Sequence, residues 1–467
     1  MNITELRERA LEIGKVTEDF DLEIEELQLE EEVACFAWKH RKNEDNGIWI
    51  EISTNGTLLD LNKDLLSPSA LIFSEKQLYE MAIDFVLNHY PSALQQFAFE
   101  EWKREENRGY RLSYVQKVEG LALPHTGFWL SILEDGEVVL FKYVGMAEDI
   151  RIPQLIMEKE KIKERFLREL EMELQTTNLS NELYNFTGAS SKLVYEPSFP
   201  FSYLCADGTS VLEDVEEDTE EELELVSPPK IERLLNELIG FNEDEYEKIR
   251  ESDLGDEIGS VWRPKNFTSE VEGTSISDFF QKRNQLTLKF KHDKKTNHLR
   301  GVFSFLDRKG ELFLNEEQCK KLALEFLFTL YPNADEFLRM VRRISQDEEE
   351  GNFIHFHFNI HWGNVRNRFG SAWIGVNRTT GTIDHYLGPD MNLEDLKKIN
   401  TKPDISIQEA VRNYQKDFDV KLEWKIEYQD HTSHYVLVYV PDFPRLEGKV
   451  AFIDAQNGEV IVSKEYF

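Results

Sequence analysis

One phrase returns along this chain: an apolar, partly alternating run, a polar turn ending in glycine, and usually a second apolar run. It stands at ISTNGTLLDL (Gly56), ILEDGEVVLF (Gly136), LCADGTSVLE (Gly208), FLDRKGELFL (Gly310), VNRTTGTIDHY (Gly381) and IDAQNGEVIV (Gly458). Asn-Gly and Asp-Gly supply the positive φ that tight hairpins need. Six hairpin signals at intervals of roughly 70 to 100 residues point to a chain assembled from repeated small units.

Helical patterns precede most of these turns. In FSEKQLYEMAIDFVLNHYPSA, Leu78, Met81, Ala82, Phe85 and Val86 share one helical face, and Ser74 and Gln77 have capping-box spacing. LNEEQCKKLALEFLFTLYPNA repeats the plan with Asn315 and Gln318 at its start and Cys319, Leu322, Ala323, Phe326 and Leu327 as its stripe. Tyr90-Pro91 then matches Tyr331-Pro332, and the proline ends each helix at the same place. Further on, Trp129 matches Trp373, and Tyr143 and Gly145 match Tyr386 and Gly388. The expected fold is α+β, with helix-plus-antiparallel-hairpin units in two similar halves, 1–228 and 229–467, three units in each. Segments 74–145 and 315–388 are expected to superpose. The acidic run LEDVEEDTEEELELVSPPK, residues 212–230, reads as a solvated linker between the halves, since it lacks the spacing and central glycine of an EF-hand loop.

These motifs resemble a known family. Helix followed by antiparallel strands ending in FIDAQNGEVIV is similar to the PepSY-like module. The paired YPxA helices with GFWLSILEDGEVVLF and GSAWIGVNRTTGTIDHY resemble the YcdB/YcdC repeat family of Bacillus-type bacteria. The resemblance covers nearly the whole chain, and its motifs are turns, caps and core positions. It implies the fold and no catalytic residue. PepSY-like domains in propeptides of secreted peptidases bind or restrain a partner, so the resemblance also implies a binding role.

Composition excludes several classes. With 54 basic and 89 acidic residues the formal charge is −35, a field that repels phosphate backbones and anionic membranes. No nucleic-acid or membrane partner is expected. A chain 40% hydrophobic and 12% aromatic can bury real cores. Cys35, Cys205 and Cys319 lie far apart and form no CxxC, which suits buried thiols in a reducing compartment. MNITELRERALEIGK has no basic segment leading into an apolar core. The expected location is the cytoplasm.

The one conspicuous chemical motif is FIHFHFNIHWG, with His355, His357 and His361. On a strand these share one face with Asn359, while Phe356, Phe358, Ile360 and Trp362 form the core face. His355 and His357 have HxH spacing that can bind zinc, with His385 the nearest further histidine in sequence. His361 lies about 20 Å from His355 along a strand, beyond a shared ion. The sister strand RLSYVQKV carries Arg111, Ser113, Val115 and Lys117 at the histidine positions, so the scaffold needs no metal there. His431 and His434 in HTSH, and His292 and His298 around DKKTN, read as turns. GxSxG, Walker A, GxGxxG and HExxH are all missing. We therefore assign no catalytic, cofactor-binding or metal-ligating residue. The expectation is a non-enzymatic binding or regulatory scaffold for a protein or peptide partner. The alternative is a metal-dependent or other hydrolase using the His355/His357 face. An apparent insertion near 241–285, with Trp262 and Arg263 beside Pro264, reads as a loop covering a buried tryptophan, with an interface anchored by these two residues as the alternative.

Overall fold

The computed structural model describes residues 1–464 except 44–45, 65–71, 106–108, 210–222, 270, 343–351, 390, 392 and 430–431. Short bridges aside, the first repeat runs α1 (Ile3–Gly14), β1 (Phe20–Gln28), β2 (Val33–His40), β3 (Gly47–Ser53), β4 (Leu58–Asp64), α2 (Glu75–His89), α3 (Ala93–Gln96), β5 (Ala98–Glu105), β6 (Gly109–Val115), β7 (Gly127–Ile132) and β8 (Val138–Gly145). A third unit follows, α4 (Lys159–Glu169), β9 (Glu171–Asn178), β10 (Ser191–Ser198) and β11 (Leu204–Cys205). The second repeat comprises β12 (Leu223–Leu225), α5 (Leu235–Ile239), β13 (Tyr246–Asp253), β14 (Glu257–Pro264), α6 (Ile276–Asn284), β15 (Leu288–Asp293), β16 (Leu299–Ser304), α7 (Glu316–Leu330), α8 (Ala334–Phe337), β17 (Leu338–Val341), β18 (Phe353–Trp362), β19 (Val365–Asn377) and β20 (Ile383–Leu387). The last unit is α9 (Ile407–Gln415), β21 (Asp419–Gln429), β22 (Thr432–Asp442), β23 (Lys449–Asp454) and β24 (Val460–Ser463). Among the described residues no helix is long and apolar enough to cross a membrane.

The first sheet has the order β1-β2-β3-β4-β8-β7-β6-β5. The matching strands of the second repeat run in the same order, β13-β14-β15-β16-β20-β19-β18-β17, inside a 14-stranded sheet that continues from β19 through a parallel pairing with β9 (Thr176–Asn367) into β10, β23 and β24. Register repeats as well: Leu112 faces Leu130 and Ser113 faces Trp129, just as Phe356 faces Ile374 and His357 faces Trp373. Both long helices carry the capping box read from sequence, Ser74 with Gln77 and Asn315 with Gln318. Their stripes lie against the sheets, with Leu78, Ala82 and Val86 buried in one and all five named residues buried in the other. One register differs: Tyr143 faces Phe128, whereas Tyr386 faces Ile374, the counterpart of Leu130. A slip of two residues keeps each side chain on its face, because the strand period is two. It changes the tyrosine pairing. Tyr90 stacks on Tyr143 at 3.7 Å, while the Tyr386 and Tyr331 hydroxyls meet at 3.2 Å.

Three sequence expectations need correction. Gly310 is not a hairpin turn. Its stretch runs without strand structure beside the β19–β20 turn, where Leu312 and Leu314 donate their amides to Thr379 and Arg378 carbonyls. Glycine is needed there for close approach, since a Cβ on Gly310 would fall 2.1 Å from the Thr379 oxygen. The fourth hairpin turn is instead Asp293–His298, between β15 and β16, with Asn297 at φ 55 in place of glycine; asparagine tolerates that conformation. Likewise, much of 241–285 is not an insertion. Residues 246–264 form β13 and β14, the counterparts of β1 and β2. Trp262 faces Lys248 as Trp38 faces Leu22, each beside a bulge. It packs on Phe241 in the core, and Arg263 donates to the Lys282 carbonyl. The added segment is 265–287, which carries α6.

The acidic linker is also partly strand. Residues 212–222 lie outside the described set, but β12 pairs antiparallel with β17 through Leu223–Val341 and Leu225–Arg339. Glu325 on α7 is buried and accepts the Glu232 and Arg233 amides at 2.6 and 2.8 Å, which fastens the chain just before α5. The third and last units are interleaved. The β9–β10 hairpin continues into β23 and β24, and β11 pairs with β22. Each hairpin therefore completes its sheet with strands from the other half. The Lys192–Asp454 ion pair, 2.6 Å long and nearly inaccessible, spans the β10–β23 contact.

Candidate functional site

β18 alternates as its sequence requires. Ile354, Phe356, Phe358 and Ile360 are buried under α7 and α8, and His355 and His357 are half-exposed on the other face. Trp362 lies at the rim, stacked on Phe337 and donating Nε1–H to the Ile399 carbonyl. Asn359, read as part of the polar face, is buried instead; the ladder is irregular between it and His361, which pairs with Arg366 beyond that break.

The outer face is built in rows across strands. His357, Trp373 and Leu387 form one row; His355, Gly375, His385 and Phe303 form the next. Gly375 has no side chain, so the His355 ring crosses over it. A Cβ there would stand 2.9 Å from both His355 and His385. The two rings lie nearly parallel, 7° apart, with Nε2 of His355 3.4 Å from Nδ1 of His385. Trp373 is 5.3 Å from the His355 ring and has His357 at its edge. Trp373 and Leu387, directly opposed, are each 49% exposed. Sequence thus named His355, His357 and His385 correctly as neighbours, but His357 turns to Trp373 rather than joining the other two. Among the described residues no group of three or more His, Cys, Asp or Glu is arranged to hold a metal ion.

The first repeat closes the same face with charge. Arg111 lies over Trp129 at 4.8 Å, its guanidinium 3.8 Å from Glu105, which also accepts from Ser131. At the Arg111 position the second repeat has His355, at the Ser131 position Gly375. The matched tryptophans were legible in sequence; that one is capped and the other open depends on these two exchanges. Replacing His355 and His357 together by Ser and Thr is expected to lower stability by no more than about 1 kcal/mol, since half-exposed sheet positions tolerate polar exchange. Denaturant unfolding checks this.

A cleft of about 580 Å³ lies nearby, lined by Asp293, His298, Arg300, Tyr331, Met391 and Glu394 among others. Its charges are engaged in structure. Arg300 donates to the Met391 carbonyl at 2.9 Å, to Asp293 at 3.2 Å and to the Pro389 carbonyl. Hydrogen bonds from Thr296, then from Arg300, hold the Asp293 carboxyl well below the usual range. His298 packs on Tyr331 at 4.9 Å. Burial lowers the pKa of His298, as it does for His292 and His89, from the ordinary 6.5. The unfolded chain then binds more protons than the folded one just below 6.5. Stability from these groups is complete above about pH 6.5 and falls as pH drops through it. Melting temperature should decline between pH 7 and pH 5.5, and His298→Gln should flatten the decline; a rise in that range would contradict it.

The remaining candidates are structural. His434 is buried in β22 and bonds Glu427, which also accepts from Tyr203; His431 lies outside the described residues. Cys35 and Cys319 are buried free thiols, and Cys205 is half-exposed. Burial, reinforced by acidic neighbours, pushes Cys35 up to about 12, and burial raises the other two, the reverse of an activated nucleophile.

Fold and face together define a tandem-repeat α+β protein in which each repeat lays down eight strands in one order, one array sealed by charge and the other open. This chain belongs to the YcdB/YcdC repeated-domain family, whose sequence profile matches residues 3–145 and 236–390, the segments that hold the two sheets. It is 36% identical to "Uncharacterized protein YcdB" of Bacillus subtilis (strain 168), covering 98% of this chain and 97% of that one. Identity to "Uncharacterized protein YcdC" of the same organism is 33%, over 97% of both. Among solved structures, the Bacillus megaterium YpeB C-terminal domain matches 45% of this chain and 95% of its own, with 15% identity and a TM-score of 0.27.

Proposed function

We propose that this protein is a non-enzymatic scaffold, built of PepSY-like units, that binds a protein or peptide partner through the open face of its second sheet. The exposed Trp373–Leu387 pair carries the reading. Tryptophan anchors dominate binding energy where they are desolvated by a partner, and the sister tryptophan is already covered within the chain. Three free thiols, two of them buried, suit a partner in a reducing compartment such as the cytoplasm. Affinity capture from native extract tests it, comparing wild type with Trp373→Ser/Leu387→Ser. Loss of one abundant co-purifying protein in the variant supports the reading; an unchanged capture profile contradicts it.

One observation favours the hydrolase alternative. The 3.4 Å between His355 Nε2 and His385 Nδ1 is about the separation of two ligands on one tetrahedral ion with bonds near 2.0–2.1 Å. Catalytic zinc, however, takes three protein ligands. Calorimetric zinc titration of tag-free protein decides between them: binding lost in His385→Ala, together with zinc-dependent hydrolysis, would favour the enzyme.

A further inference from the structure

The two repeats differ at one edge in a way that identifies a second surface. In the second sheet the edge strand β17 is not an edge: β12 adds to it, with Leu223, Glu224 and Leu225 opposite Val341, Met340 and Arg339. Beneath this added strand Met340 is only 7% exposed. Lys320 on α7 clasps Glu224 at 2.8 Å. The counterpart of β17 in the first sheet is β5, and among the described residues no strand pairs with its outer side. The counterpart of Met340 is Phe99, which is 47% exposed. Lys320 is replaced at its helix position by Tyr79 on α2. An aromatic strip therefore lines the open edge: Phe99 lies against Tyr114, and Trp102 lies between Tyr79 and Tyr110 at 5.2 and 5.0 Å.

We propose that β5 is a strand-accepting edge for an extended segment of another protein, one that alternates apolar and basic residues. The proposal rests on the binding reading above but uses a different surface. Backbone pairing supplies affinity in such additions, and alternate side chains supply selectivity. A residue opposite Phe99 faces Tyr79 where Glu224 faces Lys320, so an apolar side chain fits there and an acidic one does not. The alternate side chains pass Glu101, beside the bulge at Glu100, and then Lys103, which lies 4.0 Å from Glu101; on a chain of charge −35 the surrounding field attracts basic residues. Like charge also disfavours a second copy of this chain as the occupant. The charged residues of β5 reject indiscriminate strand pairing while leaving the edge geometrically open.

The test uses the full, tag-free chain and a fluorescent nine-residue peptide of alternating valine and lysine, read by anisotropy. Two further peptides carry N-methyl groups on the amides of one edge or the other, and a fourth alternates valine and glutamate. The expected result is saturable binding that weakens at least ten-fold in Phe99→Glu and is unchanged in Trp373→Ser. One N-methylated peptide alone should lose ten-fold or more, and the glutamate peptide should bind at least ten-fold more weakly. Unaltered melting of Phe99→Glu shows that the variant is folded. No saturable binding, indifference to Phe99→Glu, or equal binding of both N-methylated peptides would overturn the proposal. So would sedimentation showing a dimer that Phe99→Glu abolishes, because a second copy then holds the edge. If capture depends on Trp373 but the peptide fails, this inference alone falls; if the peptide binds and capture is independent of Trp373, the open-face reading falls instead.

Discussion

Replacing Phe358 with alanine is expected to lower stability by about 3–5 kcal/mol, the range for deleting a fully buried phenylalanine. Phe358 is completely inaccessible, lies between Met340 and Ala372 across the sheet and belongs to the largest core cluster. The loss combines the transfer of a large apolar ring to water with the cavity that rigid neighbours leave behind. The repeat supplies a control. Tyr114 holds the equivalent position in the first sheet but is only half-buried, so Tyr114→Ala should be milder. Denaturant midpoints for the two variants check the difference, and a Phe358→Ala loss under about 1 kcal/mol would contradict the packing described.

Lys192→Met is expected to lower stability by a similar amount, about 3–5 kcal/mol, for an electrostatic reason. The pair with Asp454 is buried on both sides, and removing the cation strands a carboxylate in a medium that solvates it poorly. Asp454 also accepts the Gln456 and Asn457 amides of its own turn, so full removal of its side chain would add a second defect. Asp454→Asn keeps an acceptor and drops the charge. The double variant Lys192→Met/Asp454→Asn should recover at least half of the loss, and no recovery would show that the damage is steric. Because the pair joins the third and last units, limited proteolysis should open both together in the single variant.

What was legible in the sequence follows from what repeats. The capping boxes at Ser74 and Asn315, the apolar stripes and the Tyr-Pro stops are local, and each is visible in a window of one helix. The Trp129–Trp373 match even carried the strand register, because a two-residue period leaves little freedom once one face is buried. Gly310 misled because a glycine after polar residues serves equally for a turn and for close approach to another chain segment, here Thr379. Its true counterpart was hidden by Asn297, which takes the positive φ without glycine. Trp262 reads as part of an insertion in sequence because the added residues come after it, before β15. The exchange of strands between the third and last units left no local trace: Lys192 and Asp454 are ordinary surface types until long-range pairing buries them. At the candidate site, sequence grouped the histidines by face; it could not show that Gly375 lets His355 reach His385, or that Arg111 caps one tryptophan and leaves its twin open.

A partner seated on the open face of the second repeat would cover Trp373 and leave Trp129 untouched, so the two tryptophans report on it themselves. A photo-reactive phenylalanine analogue is introduced at 373 in one variant and at 129 in another, each expressed in native cells and irradiated. A discrete crosslinked species of higher mass is expected from position 373, identifiable by mass spectrometry, and none from position 129, where Arg111 already covers the ring. Equal crosslinking from both positions, or none from 373 while the protein remains folded, would contradict it.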